Sequence, residues 1–364
     1  MKILIIAPLP PPITGNSLSV KVFLDEINKY HIIDVVNLSK DSYKSGVNSF
    51  QRIREVLRIL RKVRRKRKGT DLIYFTISES IAGNIKDIII YLILFNDLNK
   101  MIVHLHGGAG MRKIMSDKSS LSYKINKYFI KRLGGVIVLG ESHTDIFSDF
   151  IPVEKIHIVH NFAEDYLFLK EEEIELKFGN TKPIRMLFLS NLIPGKGYNE
   201  LVKAYLSLDD SLKGNIIIDF AGGFESEIQK MEFLIKIKEI KQINYHGIVD
   251  GPPKQELFRN AHVFCLPTYY PYEGQPISIL EAYASGCVVL TTNHSGIRDV
   301  FKDGINGFEV QKKSIDSIRL VMEKIIGDTE KLIPIALLNR KTANDKYRTS
   351  IYNASLLKIV KDFR

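Results

Sequence analysis

YEGQPISILE, residues 272–281, places two glutamates, Glu273 and Glu281, eight residues apart across a loop-to-helix junction. Pro271 and Gly274 mark the loop, and Ile277, Ile279 and Leu280 open an apolar helix. The first turn of a helix carries backbone N–H groups without intrahelical partners, which favours an anion such as a pyrophosphate. Pro276 has no N–H to offer, so the donors fall to Gln275 and Ile277, with Gly274 allowing a close turn. Glu281 is expected about two turns into the helix, placed to accept hydrogen bonds from a diol, while Glu273 stays on the loop, nearer a reacting end. Two carboxylates and a phosphate cradle within ten residues suggest a nucleotide-sugar site; a capped surface helix fits the spacing equally well.

Outward from this segment the chain alternates strands and helices. On the carboxyl side, GCVVLT carries a strand at Val288–Thr291. On the amino side, strands are predicted at Arg185–Ser190, Asn215–Ala221, Ile243–Gly247 and Val263–Leu266, with a helix at Tyr198–Leu208. An earlier series runs Lys2–Pro8, Ile32–Leu38, Leu72–Thr76, Ile102–His106, Val136–Gly140 and Ile156–His160, with a helix at Leu18–Lys29 and helical patterns between the strands. Such βαβα alternation implies a mostly parallel sheet covered on both faces. Between the two series lies KEEEIELKFGNTK, residues 170–182, charged and ending in Gly-Asn before Thr-Lys, which reads as a break. The fold class is therefore α/β with two Rossmann-like domains, residues 1–170 and 171–345, and ligands at the carboxyl ends of the strands in the cleft between them. A chain of 364 residues is long for one core, which agrees.

MKILIIAPLP passes from one lysine straight into a buried-strand pattern, so no signal peptide is expected. The longest apolar run, Ile88–Phe95, falls far short of the roughly 20 residues that span a bilayer and is expected as a buried helix before the strand Met101–Leu105. Cys265 and Cys287 sit in apolar strand-like runs, which fits free thiols in a reducing cytosol rather than a disulfide framework.

The formal charge of +11 is concentrated. RIREVLRILRKVRRKRK, residues 52–68, holds ten basic residues and one acid, Glu55. Ile53, Val56, Leu57, Leu60 and Val63 recur at three- and four-residue steps, one apolar stripe on an otherwise cationic helix. Docking on an anionic membrane surface is the favoured reading. A solvated helix packing its stripe on its own domain comes second, and the two are compatible. Nucleic-acid binding comes last, since no stacking aromatics interleave with the charges.

Other candidates lie at strand ends. Thr14-Gly15-Asn16-Ser17 follows the first strand and opens a helix, where backbone approaches a phosphate or sugar, though a lone glycine is weak evidence. His104 and His106 alternate on one strand and share a face, with Gly107-Gly108 following; a packed, hydrogen-bonded histidine is the competing reading. Without a third clustered ligand no metal site is expected. Lys196, between Gly195 and Gly197 in NLIPGKG (191–197), follows a strand and precedes a helix, where its charge can oppose a diphosphate; an ordinary turn lysine is the alternative. Ser295-Gly296 and the turn Asp303–Gly307 read as structural.

The stretch from Glu273 through EAYASGCVVLTTNHSGIRDVF and DGINGFEV, with NLIPGKG, resembles the retaining glycosyltransferases of family 4 (glycosyl transferases group 1), which have the two-domain GT-B architecture. The resemblance is strongest from Ile184 to Val310 and weaker through the N-terminal half. It implies a first domain that binds the acceptor and a second that binds a nucleotide sugar. YRTSIYNASLLKIVKDF resembles the family's final helix, which returns residues of about 346–364 to the first domain. By the same resemblance Gly15 faces the reaction centre, His106 contacts the donor sugar while His104 packs, Glu273 orients that sugar, Lys196 meets the diphosphate and Glu281 binds the ribose hydroxyls. Asn191 stands where many members carry an arginine, replacing a permanent bidentate donor with a neutral one.

The implied reaction is retaining transfer of a hexose or N-acetylhexosamine from a nucleoside-diphosphate sugar, UDP-linked by family habit, with no metal and no further cofactor. The leaving phosphate takes the acceptor proton on the same face. The cationic helix falls in the acceptor half, so a lipid-linked oligosaccharide acceptor is expected, as in bacterial capsule, O-antigen or exopolysaccharide synthesis. The expected location is cytoplasmic, peripheral on the inner face of the cell membrane. Two rivals are a nucleotide-sugar 2-epimerase on the same architecture and a non-enzymatic polyanion-binding protein.

Overall fold

The computed structural model describes residues 1–39 and 49–363, with side chains from residue 53 onward in the second stretch. The chain divides into two compact units. Unit 1 comprises Met1–Asn161, Tyr272–Gln275 and the end of the chain from Ser350; unit 2 comprises Phe162–Pro271 and Pro276–Thr349.

Unit 1 is built on strands β1 (Lys2–Ala7), β2 (Ile32–Asn37), β3 (Leu72–Thr76), β4 (Met101–His104), β5 (Gly135–Val138) and β6 (Ile156–Ile158), all parallel, in the order β2-β1-β3-β4-β5-β6. The central strands are apolar on both faces, as burial under two helical layers requires: all five residues of β3 are buried. The helices are α1 (Gly15–Ile27), α2 (Ser49–Lys66), α3 (Ile81–Ile93), α4 (Ala109–Ser116) and α5 (Leu121–Ile130). Thr14 caps α1 in a reciprocal box: its hydroxyl accepts from the Ser17 N–H, and the Ser17 hydroxyl accepts from the Thr14 N–H. That box stops β1's loop and starts α1 at Gly15, three residues earlier than the apolar pattern suggested.

Unit 2 repeats the plan. Strands β7 (Ile184–Leu189), β8 (Ile216–Ala221), β9 (Ile243–Tyr245), β10 (Val263–Leu266), β11 (Val288–Thr291) and β12 (Gly307–Glu309) form a parallel sheet in the order β12-β11-β10-β7-β8-β9. Its helices are α6 (Glu171–Phe178), α7 (Tyr198–Leu206), α8 (Asp210–Lys213), α9 (Glu227–Ile237), α10 (Gly251–Asn260), α11 (Ile277–Ala284), α12 (Ile315–Gly327) and α13 (Leu332–Lys346); α14 (Thr349–Asp362) follows, and its residues from Ser350 group with unit 1. The sheet orders reverse direction between β1 and β3 and between β7 and β10, so each unit has a switch point where loops diverge at the strands' carboxyl ends.

Four expectations are corrected. The division falls after Asn161, not near residue 170, because Phe162, Ala163, Leu167 and Leu169 are buried in unit 2, where the Ala163 N–H donates to the Tyr347 carbonyl. The charged stretch beyond it is not a break: it forms α6, which buries Ile174 and Phe178. The strand carrying His104 ends there, so His106 lies past it on the loop. Helix α3 is not simply buried. Asn84, Asp87, Ile90 and Tyr91 face inward, yet Ile81, Ile85 and Leu92 are 68%, 57% and 58% exposed. The strand β12 was not anticipated, being three residues after a turn.

The basic run is helical as its periodicity predicted, but its apolar stripe is only half used. Val63 is fully buried and Leu60 packs against the core of unit 1, whereas Ile53 and Leu57 are exposed. Lys66 pairs with Asp34 at 2.9 Å, and Arg67 donates to the Ile93 carbonyl. The Arg52 side chain lies outside the described residues.

Candidate active site

Beside the switch point of unit 1, polar side chains gather at two neighbouring strand ends. Thr76 ends β3, His104 ends β4 opposite it, and His106 lies two residues on, its ring centroid 3.9 Å from that of His104. The Tyr74 hydroxyl and His104 Nδ1 share a hydrogen bond of 2.6 Å. Burial holds the phenol protonated and pulls the imidazole well below its ordinary pKa, with His106 adding to the second effect, so the bond joins two neutral groups. That bond accounts for His104 as a packed residue and leaves its Nε2 without a partner. Both ring nitrogens of His106 are buried and also unpartnered, and desolvation lowers its pKa to about 3. His106 is therefore neutral at physiological pH, able to donate one hydrogen bond and accept one, but not to carry charge. The Thr76 hydroxyl, Asn16 Oδ1 and Glu79 Oε1 are likewise buried without partners. Such groups are uncommon in folded proteins and each calls for an explanation.

Glu79 explains the glycines after His106. Its Oε2 accepts from the Gly110 N–H at 2.7 Å, so a carboxylate from β3's loop serves the start of α4, whose own N-cap, Gly108, has no side chain. A β-carbon on Gly107 would stand 2.9 Å from the Glu79 carboxyl carbon, and one on Gly110 would stand 1.8 Å from the Glu79 carbonyl oxygen. Gly15, exposed, is the first residue of α1 at the same sheet end.

The segment Tyr272–Gln275 belongs to this unit and packs on the histidine loop. A β-carbon on Gly274 would stand 2.2 Å from the His106 carbonyl oxygen, so only glycine admits this approach. Glu273 beside it is buried. The Gln275 side chain is fully engaged: its Oε1 accepts from the Asn161 N–H at 2.7 Å, and its Nε2 donates to the Leu139 carbonyl at 3.0 Å and to His160 Nδ1 at 2.9 Å. Asn161 Nδ2 returns a bond to the Gln275 carbonyl. The side chain of Gln275 thus fastens the segment, and only its backbone N–H is left to the role expected of it.

In unit 2, Pro276 is the N-cap of α11 and Ile277 its first residue. Glu281 is the fifth residue, a little over one turn in rather than two, because the helix starts at Ile277 and not in the loop. Its carboxylate is buried and its Oε1 accepts from Lys254 Nζ at 2.6 Å. The same ammonium donates to Glu164 Oε2 at 2.9 Å, and the Tyr166 hydroxyl donates to that oxygen as well. Burial raises the Glu281 pKa and Lys254 opposes that rise; burial also works against the Lys254 charge, but the two carboxylates outweigh it and hold its pKa above the ordinary lysine range.

The β7–α7 loop carries Lys196 and Asn191. Gly197, at φ 85°, is the N-cap of α7, and a β-carbon there would meet the Pro267 carbonyl oxygen at 2.3 Å. The Gly195 carbonyl accepts from the Tyr269 N–H at 2.6 Å, joining this loop to the one after β10. Lys196 Nζ then lies 5.1 Å from the centre of the Tyr270 ring, a cation–π distance. Asn191 is exposed. Cys265 and Cys287 are buried free thiols. Among the described residues there is no group of three or more His, Cys, Asp or Glu side chains able to hold a metal ion.

Sequence reasoning missed Lys254, Glu164, Tyr74, Thr76, Glu79 and Tyr270. The lysine sits 27 residues before its partner and has no local signature; GPPKQELF marks only a helix start, through its prolines. Thr76 and Tyr74 were visible only as members of an apolar strand.

Residues 170–335 match the family model of glycosyl transferases group 1. An uncharacterized glycosyltransferase of Methanocaldococcus jannaschii is 24% identical over 62% of this chain and 59% of its own length. A capsular polysaccharide biosynthesis glycosyltransferase of Staphylococcus aureus is 26% identical over 65% of this chain and 58% of its own. The chain spans about half to three-fifths of the length of such curated relatives. A crystal structure of Anabaena HepE in complex with UDP and glucose superposes with a TM-score of 0.72 at 14% identity, covering 100% of both chains. The fold is that of the GT-B glycosyltransferases.

Proposed function

We propose that this chain, a group 1 glycosyl transferase across residues 170–335, moves a hexose or N-acetylhexosamine with retention from a nucleoside-diphosphate sugar to a hydroxyl of a lipid-linked oligosaccharide. UDP-sugars are the first donors to test, since HepE was crystallised with UDP. Surface polysaccharide synthesis is the setting, in keeping with the capsular relative. The observation that carries the reading is the segment Glu273–Glu281. Its glycine lies on the carbonyl of His106, and its helix bears the buried carboxylate of Glu281.

In this reading Glu281 accepts from the ribose diol. Lys196 and the first N–H groups of α11 oppose the charge that the diphosphate gains as the anomeric C–O bond breaks. The acceptor oxygen attacks from the face the diphosphate leaves, and its proton passes to the departing phosphate. Glu273 orients the sugar, and His106, neutral at this pH, pairs with its hydroxyls. The protein's own groups carry the charge, with no metal in the mechanism.

A cationic, partly apolar surface of unit 1 supports docking on an anionic bilayer. Ile53 and Leu57 stand exposed among the exposed Arg58, Arg61 and Lys62 of α2. On α3, Ile81, Ile85 and Leu92 are exposed at steps of four and seven, a second outward stripe, with Ile88 between them half-buried against the core. A shallow groove of about 400 Å³ runs between α3 and α5, lined by Ile88, Leu92, Lys124, Ile125, Tyr128 and Phe129. Helix α5 contains no acidic residue, and Arg132 stacks on Tyr128 at 3.7 Å. Apolar stripes rimmed by lysine and arginine suit an anionic lipid surface. No helix among the described residues is long and apolar enough to cross a membrane.

Thermal stabilisation by UDP, GDP, ADP and their sugar conjugates, with and without chelator, tests the donor site. A shift indifferent to chelator and lost in Glu281→Ala and Lys196→Ala supports the reading; no shift with any nucleotide refutes it. Pelleting with phosphatidylglycerol vesicles, lost when the basic residues 61–68 are neutralised or when Leu92→Asp is introduced, tests the membrane surface. Binding that ignores lipid charge counts against it.

A further inference from the structure

We propose that Lys254 is a positioning residue for nucleotide recognition: clamped between Glu164 and Glu281, it fixes the Glu281 carboxylate as an ionised, correctly turned acceptor for the ribose diol. The inference rests on Glu281 being the ribose ligand and adds a residue and a mechanism to that reading.

A carboxylate that takes two hydroxyl donors must be ionised and must present free lone pairs in one orientation. Glu281 meets neither condition by itself, since it is buried on α11 among apolar neighbours and burial favours the neutral acid. A protonated Glu281 would spend one oxygen as a donor and could not serve both hydroxyls. Lys254, itself buried, approaches Oε1 alone, at 2.6 Å. Oε2 accepts no hydrogen bond among the described residues. The contact is therefore one-sided, which fixes the rotamer and leaves acceptor capacity on the other oxygen.

The clamp is held from behind. Glu164 accepts from the same ammonium at 2.9 Å, and the Tyr166 hydroxyl donates to Glu164 at 3.1 Å. The Tyr166 ring lies 6.0 Å from Lys254 Nζ. Gln255, next to Lys254 on α10, donates to the Tyr166 carbonyl and ties that turn to the helix. The assembly has two carboxylates for one ammonium, so it keeps a net negative charge for hydroxyl donors. A purely structural role accounts for it less well: a buried ion pair can often be replaced by apolar groups at no cost in stability, and a structural pair would need only one carboxylate.

The test compares nucleotides that have and lack the diol. UDP and GDP are titrated calorimetrically into the wild-type protein, Lys254→Met, Lys254→Gln and Lys254→Arg, from about pH 6 to about pH 9. Each titration is repeated with the 2′,3′-dideoxy analogue of the nucleotide that binds. In Lys254→Met the diol-bearing nucleotide is expected to bind about tenfold more weakly at the acid end, recovering as pH rises and Glu281 ionises. The dideoxy analogue, already weak, should change less than about twofold, and Lys254→Arg should restore most of the loss. Should Lys254→Met not fold, Lys254→Gln, which keeps a donor without the charge, gives the same signature. Equal weakening of both nucleotides, or a loss that does not vary with pH, overturns the role of Lys254. A wild-type protein that binds the dideoxy analogue as well as the parent, or Glu281→Ala with unchanged binding, overturns instead the assignment of the ribose to Glu281.

Discussion

Thr76 and Thr291 are buried threonines at strand ends, one in each unit. Each is the last residue of an interior parallel strand and each follows an apolar run. Thr291 donates its hydroxyl proton to the Leu266 carbonyl at 2.8 Å, whereas the Thr76 hydroxyl has no partner. The contrast extends to their surroundings. Around Thr76 lie His104 Nε2, both nitrogens of His106 and Glu79 Oε1, all buried and unpaired. In unit 2 Glu281, Lys254 and Glu164 are tied together, and both nitrogens of His262 are bonded, Nδ1 accepting from the Arg185 N–H and Nε2 donating to the Lys177 carbonyl. A paired polar cluster is ready-made for a ligand of fixed shape, such as a nucleotide. An unpaired one gains most from a ligand that supplies many hydroxyls, such as a sugar.

The largest expected effect breaks the paired side. Glu281→Ala should abolish nucleotide binding, while Lys254, still paired with Glu164, limits the loss of stability to the one charged hydrogen bond removed, about 2 kcal/mol; urea denaturation and calorimetry measure the two losses separately. If stability is unchanged, the cluster is looser than its distances indicate.

The histidines sharpen the comparison through pH. The His262 pKa is lowered from 6.5 to about 4, chiefly by burial, and its Nδ1 must stay unprotonated to accept from Arg185. The folded value lies below the unfolded one, so the stabilisation is complete above about pH 6.5 and is lost as pH falls towards 4, at most about 3 kcal/mol. His106, lowered to about 3 without any bonded partner, acts in the same direction, its loss beginning at the same pH and continuing to about pH 3. Ring resonances followed by NMR should show both neutral down to about pH 5. Added UDP-glucose should move the His106 ring and leave that of His262 in place; the reverse would exchange the roles of the two clusters.

A third test cuts the link between segment and histidine loop. Gly274→Ala sets a methyl against the His106 carbonyl, and relief of that overlap should cost about 2 kcal/mol and lower kcat more than it weakens nucleotide binding. An unchanged kcat would mean that the approach serves packing alone.

These contrasts mark what the sequence could and could not disclose. Alternation of apolar runs located eleven of the twelve strands among the described residues to within two residues at either end, because a strand buried on both faces leaves a continuous apolar run. β12, a three-residue strand led in by a glycine turn, leaves too little pattern to read. Glu281, Gly274 and Lys196 could be singled out because each lies in a short segment of unusual composition. Lys254 could not: its meaning depends on a glutamate 27 residues away, and a buried lysine in an amphipathic helix reads as surface. The exposed face of α3 was hidden for the opposite reason. Isoleucines cover both sides of that helix, and periodicity cannot tell a core-facing isoleucine from an outward one.

The smallest effect is the most direct test of the comparison, because the same substitution should have opposite signs in the two units. Thr291→Val removes one of the two donors to the Leu266 carbonyl, which keeps the Thr268 N–H at 2.8 Å, so it should destabilise the protein by about 1 kcal/mol. Thr76→Val replaces a buried hydroxyl that bonds to nothing with a methyl of similar volume, which should be neutral or stabilise by up to about 1 kcal/mol. If Thr76 belongs to a sugar-binding surface, the stabilised variant should bind UDP as before and show a raised KM for acceptor or for donor sugar. Denaturation midpoints of the two single variants and the double variant decide the matter, since the residues lie in separate sheets and their effects should add. Equal losses at both positions would mean that the Thr76 hydroxyl is satisfied in the folded protein, and the contrast between the units would then rest on the histidines alone.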